Sequence, residues 1–146
     1  MLFTACERSC LEKRPKDVKR IDWENYNDVY TAFWNTHVTC NDFYNIYLNR
    51  NIMVYGWIRP QFLEDGFTLF TGNNNDKSYP LIGQPHFDVH YWCPMALLIR
   101  EKLDSCDLSK KCYVKGKLVN NGINLGSCCV AIPMILIEDI DDFYFE

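Results

Sequence analysis

The densest run of chemically capable side chains is His86-Phe87-Asp88-Val89-His90-Tyr91-Trp92-Cys93. Imidazole, carboxylate and thiolate are the ordinary ligands of zinc. On an extended strand side chains repeat every second residue, so His86, Asp88 and His90 share one face, with Cys93 as an additional ligand. On a helix His86 and His90 align instead. The chemistry so predicted is a metal site, although no His-Glu-x-x-His general base accompanies it. The plainer reading, which the pattern favours, is polar residues alternating with Phe87, Val89 and Tyr91 on a half-buried strand.

Nucleophilic chemistry has thinner support. His37 and Cys40 lie close in sequence, but catalytic partners meet in space, so their spacing establishes no dyad. Nothing resembles a G-x-S-x-G elbow, a phosphate-binding loop or a dinucleotide fingerprint. The chain has eight cysteines: Cys6, Cys10, Cys40, Cys93, Cys106, Cys112, Cys128 and Cys129. None stands in a C-x-x-C pair, so a zinc ribbon and a thioredoxin motif are both unsupported. Buried free thiols in a reducing compartment and partial disulfide pairing in an oxidising one both remain open.

The elements that must position these residues follow from apolar periodicity and turn chemistry. Asp22 to Trp34 reads as an amphipathic helix, with Trp23, Tyr26, Tyr30, Phe33 and Trp34 on one face and Asp22 as its cap. That stripe predicts a helix packed on a sheet before it predicts a ligand platform. Ile52 to Arg59 and Phe67 to Thr71 read as strands separated by a turn at Glu64-Asp65-Gly66, and Tyr79 to Ile82 as a third strand. Pro94 to Leu103 reads as a helix with an apolar face of Met95, Leu98, Ile99 and Leu103. Cys112 to Val119 is a strand, Asn120-Asn121-Gly122 a hairpin turn, and the chain returns from Ile123 through Ile137.

Ile52-Met53-Val54-Tyr55-Gly56-Trp57-Ile58-Arg59, followed by Phe67-Thr68-Leu69-Phe70, resembles the first two strands of the anticodon-binding OB domains of class II aminoacyl-tRNA synthetases. Val54, Gly56, Trp57, Ile58 and Phe67 match that pattern, and Tyr113 to Leu118 looks like the fourth strand of small OB domains. The resemblance covers about half of the domain. It implies a mainly β fold: a five-stranded OB-like barrel with a helix between strands 3 and 4, here preceded by an N-terminal helix. It implies a ligand face at Trp57, Arg59, Phe67, Leu69, Tyr79, Lys115 and Lys117, framed by the loops 60–66 and 120–126. Gly56 and Gly116 are expected where barrel strands bend.

Phe3-Thr4-Ala5-Cys6 resembles the end of a bacterial lipoprotein signal peptide, in which the cysteine is lipidated. Phe3 stands where that family usually has Leu, and only five residues precede Cys6, fewer than the basic and apolar regions of a signal require. The resemblance implies a lipid anchor on Cys6 at the bacterial cell envelope, the alternative being a cytoplasmic protein. Residues 1–20 then read as a truncated signal and tether, dispensable for folding, and residues 21–146 as the OB-like domain.

Charge orders the functions. The chain carries a formal −4, which argues against general nucleic-acid binding, where lysine and arginine must displace counterions. Arg8 to Arg20 holds six basic residues against Glu12 and Asp17. Glu138 to Glu146 holds five acids and no base, and reads as a solvated tail. The first expectation is a non-catalytic OB-type binding or interaction module of the envelope, with an unknown protein or small ligand as partner and no cofactor. A cytoplasmic nucleic-acid-binding OB domain comes second, and a metal-dependent or thiol enzyme third.

Overall fold

A computed structural model describes residues 15–37, 46–58, 66–72, 85–120 and 133–146. In chain order the elements are β1 (Asn27–Asp28), α1 (Val29–Thr36), β2 (Asn51–Ile58), β3 (Gly66–Phe70), β4 (His86–Tyr91), α2 (Ala96–Ser105), β5 (Cys112–Asn120), β6 (Pro133–Ile137) and β7 (Phe143–Phe145). Short 3-10 turns occupy Cys93–Met95 and Ile140–Asp142. Five strands close on themselves: β2 pairs with β3, β3 with β4, β4 with β6, β6 with β5, and β5 returns to β2. Every ladder in this circuit is antiparallel except β4–β6. The result is a mainly β, five-stranded OB-like barrel, with α2 between its third and fourth strands and α1 ahead of it. The third barrel strand is His86–Tyr91; the segment expected there, Tyr79 to Ile82, lies outside the described residues.

Alternation builds the core. Ile52, Val54 and Ile58 of β2 point inward, as do Val114 and Leu118 of β5, all at 1% exposure or less. Phe67 and Leu69 join them from β3, Phe87 and Val89 from β4, and Ile135 and Ile137 from β6. Burying each such side chain stabilises the fold by about 1.5–3 kcal/mol. The two glycines take inward positions on the strands that close the barrel, Gly56 opposite Cys112 and Gly116 opposite Ile52. A Cβ on Gly116 would stand 2.5 Å from Ile135 Cγ2 and 2.7 Å from the Leu136 carbonyl oxygen. One on Gly56 would stand 2.6 Å from the Phe70 carbonyl oxygen. Close backbone approach therefore requires glycine at both positions.

A helix closes each end. Gly66 and Phe70 are opposite ends of β3, and His86 and Tyr91 are opposite ends of β4. At the Phe70–His86 end Phe33 of α1 lies 6.4 Å from the His86 ring, and Val29 of α1 abuts Gly56. At the other end α2 sits beside Gly66 and Tyr91 and buries Ile99 and Leu103. Leu98, expected on the buried face of α2, is instead 56% exposed, next to Leu97. Among the described residues no helix is long and apolar enough to cross a membrane.

The N-terminal helix is shorter than its aromatic stripe suggests. Asn27 is buried, and its amide takes over the backbone groups that a first helical turn would have used. It accepts from Asp22 N at 2.7 Å and donates to the carbonyls of Asp22, Asn25 and Met53. The cap passes to Asp28, whose carboxylate accepts from Thr31 N at 2.8 Å and from the Thr31 hydroxyl at 2.9 Å. Trp23 and Tyr26 thus precede the helix. Packing also reaches further back than residue 21: Val18 is buried, and Asn35 donates to the Lys19 carbonyl at 2.7 Å.

The acidic C-terminus is folded, although Glu138, Asp139, Asp141 and Glu146 remain exposed. Asp139 and Asp142 form a reciprocal capping box around the 3-10 turn, so these acids satisfy backbone N–H groups. The turn feeds β7 onto β5, with Cys112 opposite Phe145 and Val114 opposite Phe143. Phe143 is fully buried, 5.3 Å from the Phe67 ring. Lys102 of α2 donates to the carbonyls of Ile140 and Phe143 and lies over the Phe143 ring.

Candidate functional site

The outward positions of β2, β5 and β7 form one continuous face. The β2–β5 register sets Asn51 beside Lys117, Met53 beside Lys115 and Tyr55 beside Tyr113. The β5–β7 register sets Tyr144 on the other side of Tyr113. Trp57 extends the β2 column, and Lys111 precedes β5 with its ammonium 5.3 Å from the Tyr55 ring and 5.8 Å from the Trp57 ring. Both distances are within reach of a cation–π attraction.

Tyrosines dominate the upper half of this face. The rings of Tyr113 and Tyr144 are parallel, with centroids 5.0 Å apart and 6° between planes. Tyr55 flanks the other side of Tyr113 at 5.5 Å, and Tyr26 meets Tyr113 and Tyr144 edge-on. Burial, followed by the neighbouring Tyr144 and its hydrogen bond and by Asp142, pushes the Tyr26 phenol up to about 12. Below this cluster lie Lys115 and Lys117, with Asn49, Asn51, Glu138 and Asp142 around a cleft.

Three of the expected ligand-face residues, Trp57, Lys115 and Lys117, are thus brought to one face. Phe67 and Leu69 are not: they are 2% and 0% exposed, so their expected place on a ligand face is corrected to the core. The opposite phase of β3 holds Gly66, Thr68 and Phe70, of which Phe70 is also buried. Arg59 and Tyr79 lie outside the described residues, as do Cys6, Cys40 and most of the two framing loops.

His86, Asp88 and His90 lie on the outward side of β4, alternating with buried Phe87 and Val89. Thr68 donates to Asp88 at 3.0 Å, and His86 lies 6.3 Å from the Phe70 ring. Cys93 is exposed in the following 3-10 turn. Among the described residues no group of three or more histidine, cysteine, aspartate or glutamate side chains comes together to hold a metal. Cys93, Cys106 and Cys112 carry free thiols. Burial pushes the Cys112 thiol up, against a smaller opposing pull from Lys102, which disfavours the nucleophilic thiolate. His37 stacks on Phe33 at 4.8 Å.

Tyr55, Tyr113, Tyr144, Lys111 and Asn49 join the face without having been expected on it, and Tyr26 joins it from the aromatic stripe expected to pack on the sheet. The signal that could have found most of them is alternation itself, Tyr55 with Trp57 on one strand and Tyr113 with Lys115 and Lys117 on another. Compared with family models, curated proteins and solved structures, the chain gives no match.

Proposed function

We propose that the chain is a non-catalytic binding module of the OB class whose ligand lies on the outer face of β2, β5 and β7. The observation that supports this most is the register that sets Tyr55 beside Tyr113, Met53 beside Lys115 and Asn51 beside Lys117, with Trp57 extending the β2 column. Aromatic rings and long cations on one exposed sheet face are a recognition surface, since neither is needed there to fill the core. The likeness of Ile52–Arg59 and Phe67–Phe70 to synthetase OB strands supports the class, and the strand circuit is compatible with it. Attachment to the bacterial envelope through Cys6 belongs to the same proposal and is supported by Phe3-Thr4-Ala5-Cys6 and the basic segment Arg8–Arg20.

A thermal-shift screen of saccharides, nucleotides and peptides tests the binding face. Compounds that raise the melting temperature of the wild type are expected to lose that effect in a Lys115→Glu/Lys117→Glu variant that melts normally when unliganded. Equal stabilisation of both proteins would place the ligand elsewhere.

A further inference from the structure

β6 leaves β5 after the Lys117–Leu136 pair, and β7 joins it only at Val114–Phe143. Between these contacts a cleft of about 460 Å³ opens beside Lys115 and Gly116. That volume falls inside the roughly 300–1,000 Å³ typical of small-ligand sites. We propose that this cleft binds a carbohydrate chain; the proposal rests on the binding face described above and names its ligand class.

The donor set supports it. Lys115 and Lys117 offer ammonium donors, Asn49 and Asn51 offer amides, and Glu138 offers a carboxylate acceptor, while Asp142 Oδ2 already accepts from Glu138 N and Asp139 N. A sugar hydroxyl both donates and accepts, so it can use all three kinds of partner. Leu136 is the one aliphatic residue among the described lining, which leaves no apolar pocket for a peptide's hydrophobic anchor. Asn49 adopts the left-handed conformation, with φ 66°. The bonds from Asn49 N to Leu118 O and from Leu118 N to Arg50 O hold it there, at the rim of the cleft. Asparagine tolerates that region better than most residues, so the backbone that carries this amide is held at the rim.

Two features turn the face away from single-stranded nucleic acid. The two lysines of the cleft are balanced by Glu138 and Asp142, whereas a phosphate backbone requires a cationic excess. Base stacking needs open ring faces. Tyr113 stacks on Tyr144 at 5.0 Å and meets a tilted Tyr55 at 5.5 Å, which restricts stacking of a base on it.

The test is an amide-shift titration of the isotope-labelled full chain. The probes are three soluble oligosaccharides (a neutral glucan, an N-acetylglucosamine oligomer and a uronate oligomer) and oligothymidylate. At least one saccharide is expected to shift Asn49, Asn51, Lys115 and Lys117 saturably. Lys117→Met and Asn51→Ala are each expected to weaken it by about fivefold, the loss of roughly one hydrogen bond. Both positions face outward, and unchanged melting of the free variants confirms that their folds are intact. No shift at these amides with any saccharide, or wild-type affinity in both variants, overturns the proposal. Oligothymidylate shifting the same amides where saccharides do not would overturn the carbohydrate while leaving the face; saccharide or oligothymidylate shifts confined to other regions would overturn both.

Discussion

At Gly116 a single added methyl group has nowhere to go, because a carbonyl oxygen and a buried isoleucine methyl already stand where it would sit. Gly116→Ala is expected to destabilise by about 1–3 kcal/mol in urea melts, the usual cost of overpacking. Melting at the wild-type midpoint would mean that β5 and β6 are not this close. Both this position and Gly56 were legible in the sequence as glycines within strand patterns, and at each the neighbouring atoms leave no room for a Cβ. The inward parity of β3 was not legible. Phe67-Thr68-Leu69-Phe70 has large apolar residues in both phases, Phe67 and Leu69 in one and Phe70 in the other, and a one-residue shift exchanges the faces of a strand. Tyr26 gives a prediction in pH. Its phenol is held at about 12 against an ordinary 10.0, so between those values the folded chain keeps a proton that the unfolded chain has lost. The stability this contributes is complete below pH 10 and is lost as pH rises toward 12. Tyr26→Phe should remove that part of the alkaline loss, and the tyrosinate absorbance of the native wild type should show one late-titrating phenol that the variant lacks. The same late phenol in both proteins would contradict the assignment.

Among the elements, those carried by strong local signals lay where the sequence put them. β2, β3, β5 and α2 fall within two residues of their expected bounds. Those decided by tertiary contacts did not. The aromatic spacing from Trp23 onward fits a helix, yet Asn27 trades its first turn for bonds that reach Met53 on β2. The C-terminal acids look solvated one by one, and only their reciprocal caps and the arrival of Phe143 beneath Lys102 make them structure. Phe143 is therefore expected to matter as a core residue. Phe143→Ala should cost about 3–5 kcal/mol in denaturant melts, as for other buried phenylalanines. A cost below roughly 1 kcal/mol would mark the segment as a tail after all, since surface substitutions are usually within ±0.5 kcal/mol.

For the whole molecule, the order of strands and the helix between the third and fourth were enough to anticipate a barrel, because few topologies accommodate that order. The candidate site was only partly legible for a geometric reason. Trp57 and Lys115 belong to strands far apart in the chain, and nothing in either strand states the register that brings Tyr55 against Tyr113. Closure and site are thus one structural fact: the β2–β5 ladder both seals the barrel and assembles the face. Nuclear Overhauser contacts in the full-length protein test it most directly. Ring-proton contacts are predicted between Tyr55 and Tyr113 and between Tyr113 and Tyr144, together with backbone contacts from Ile52 to Gly116 and from Val54 to Val114. Contacts confined to the β3–β4 and β5–β6 pairs, with none from β2 to β5, would mean an open sheet and no shared face.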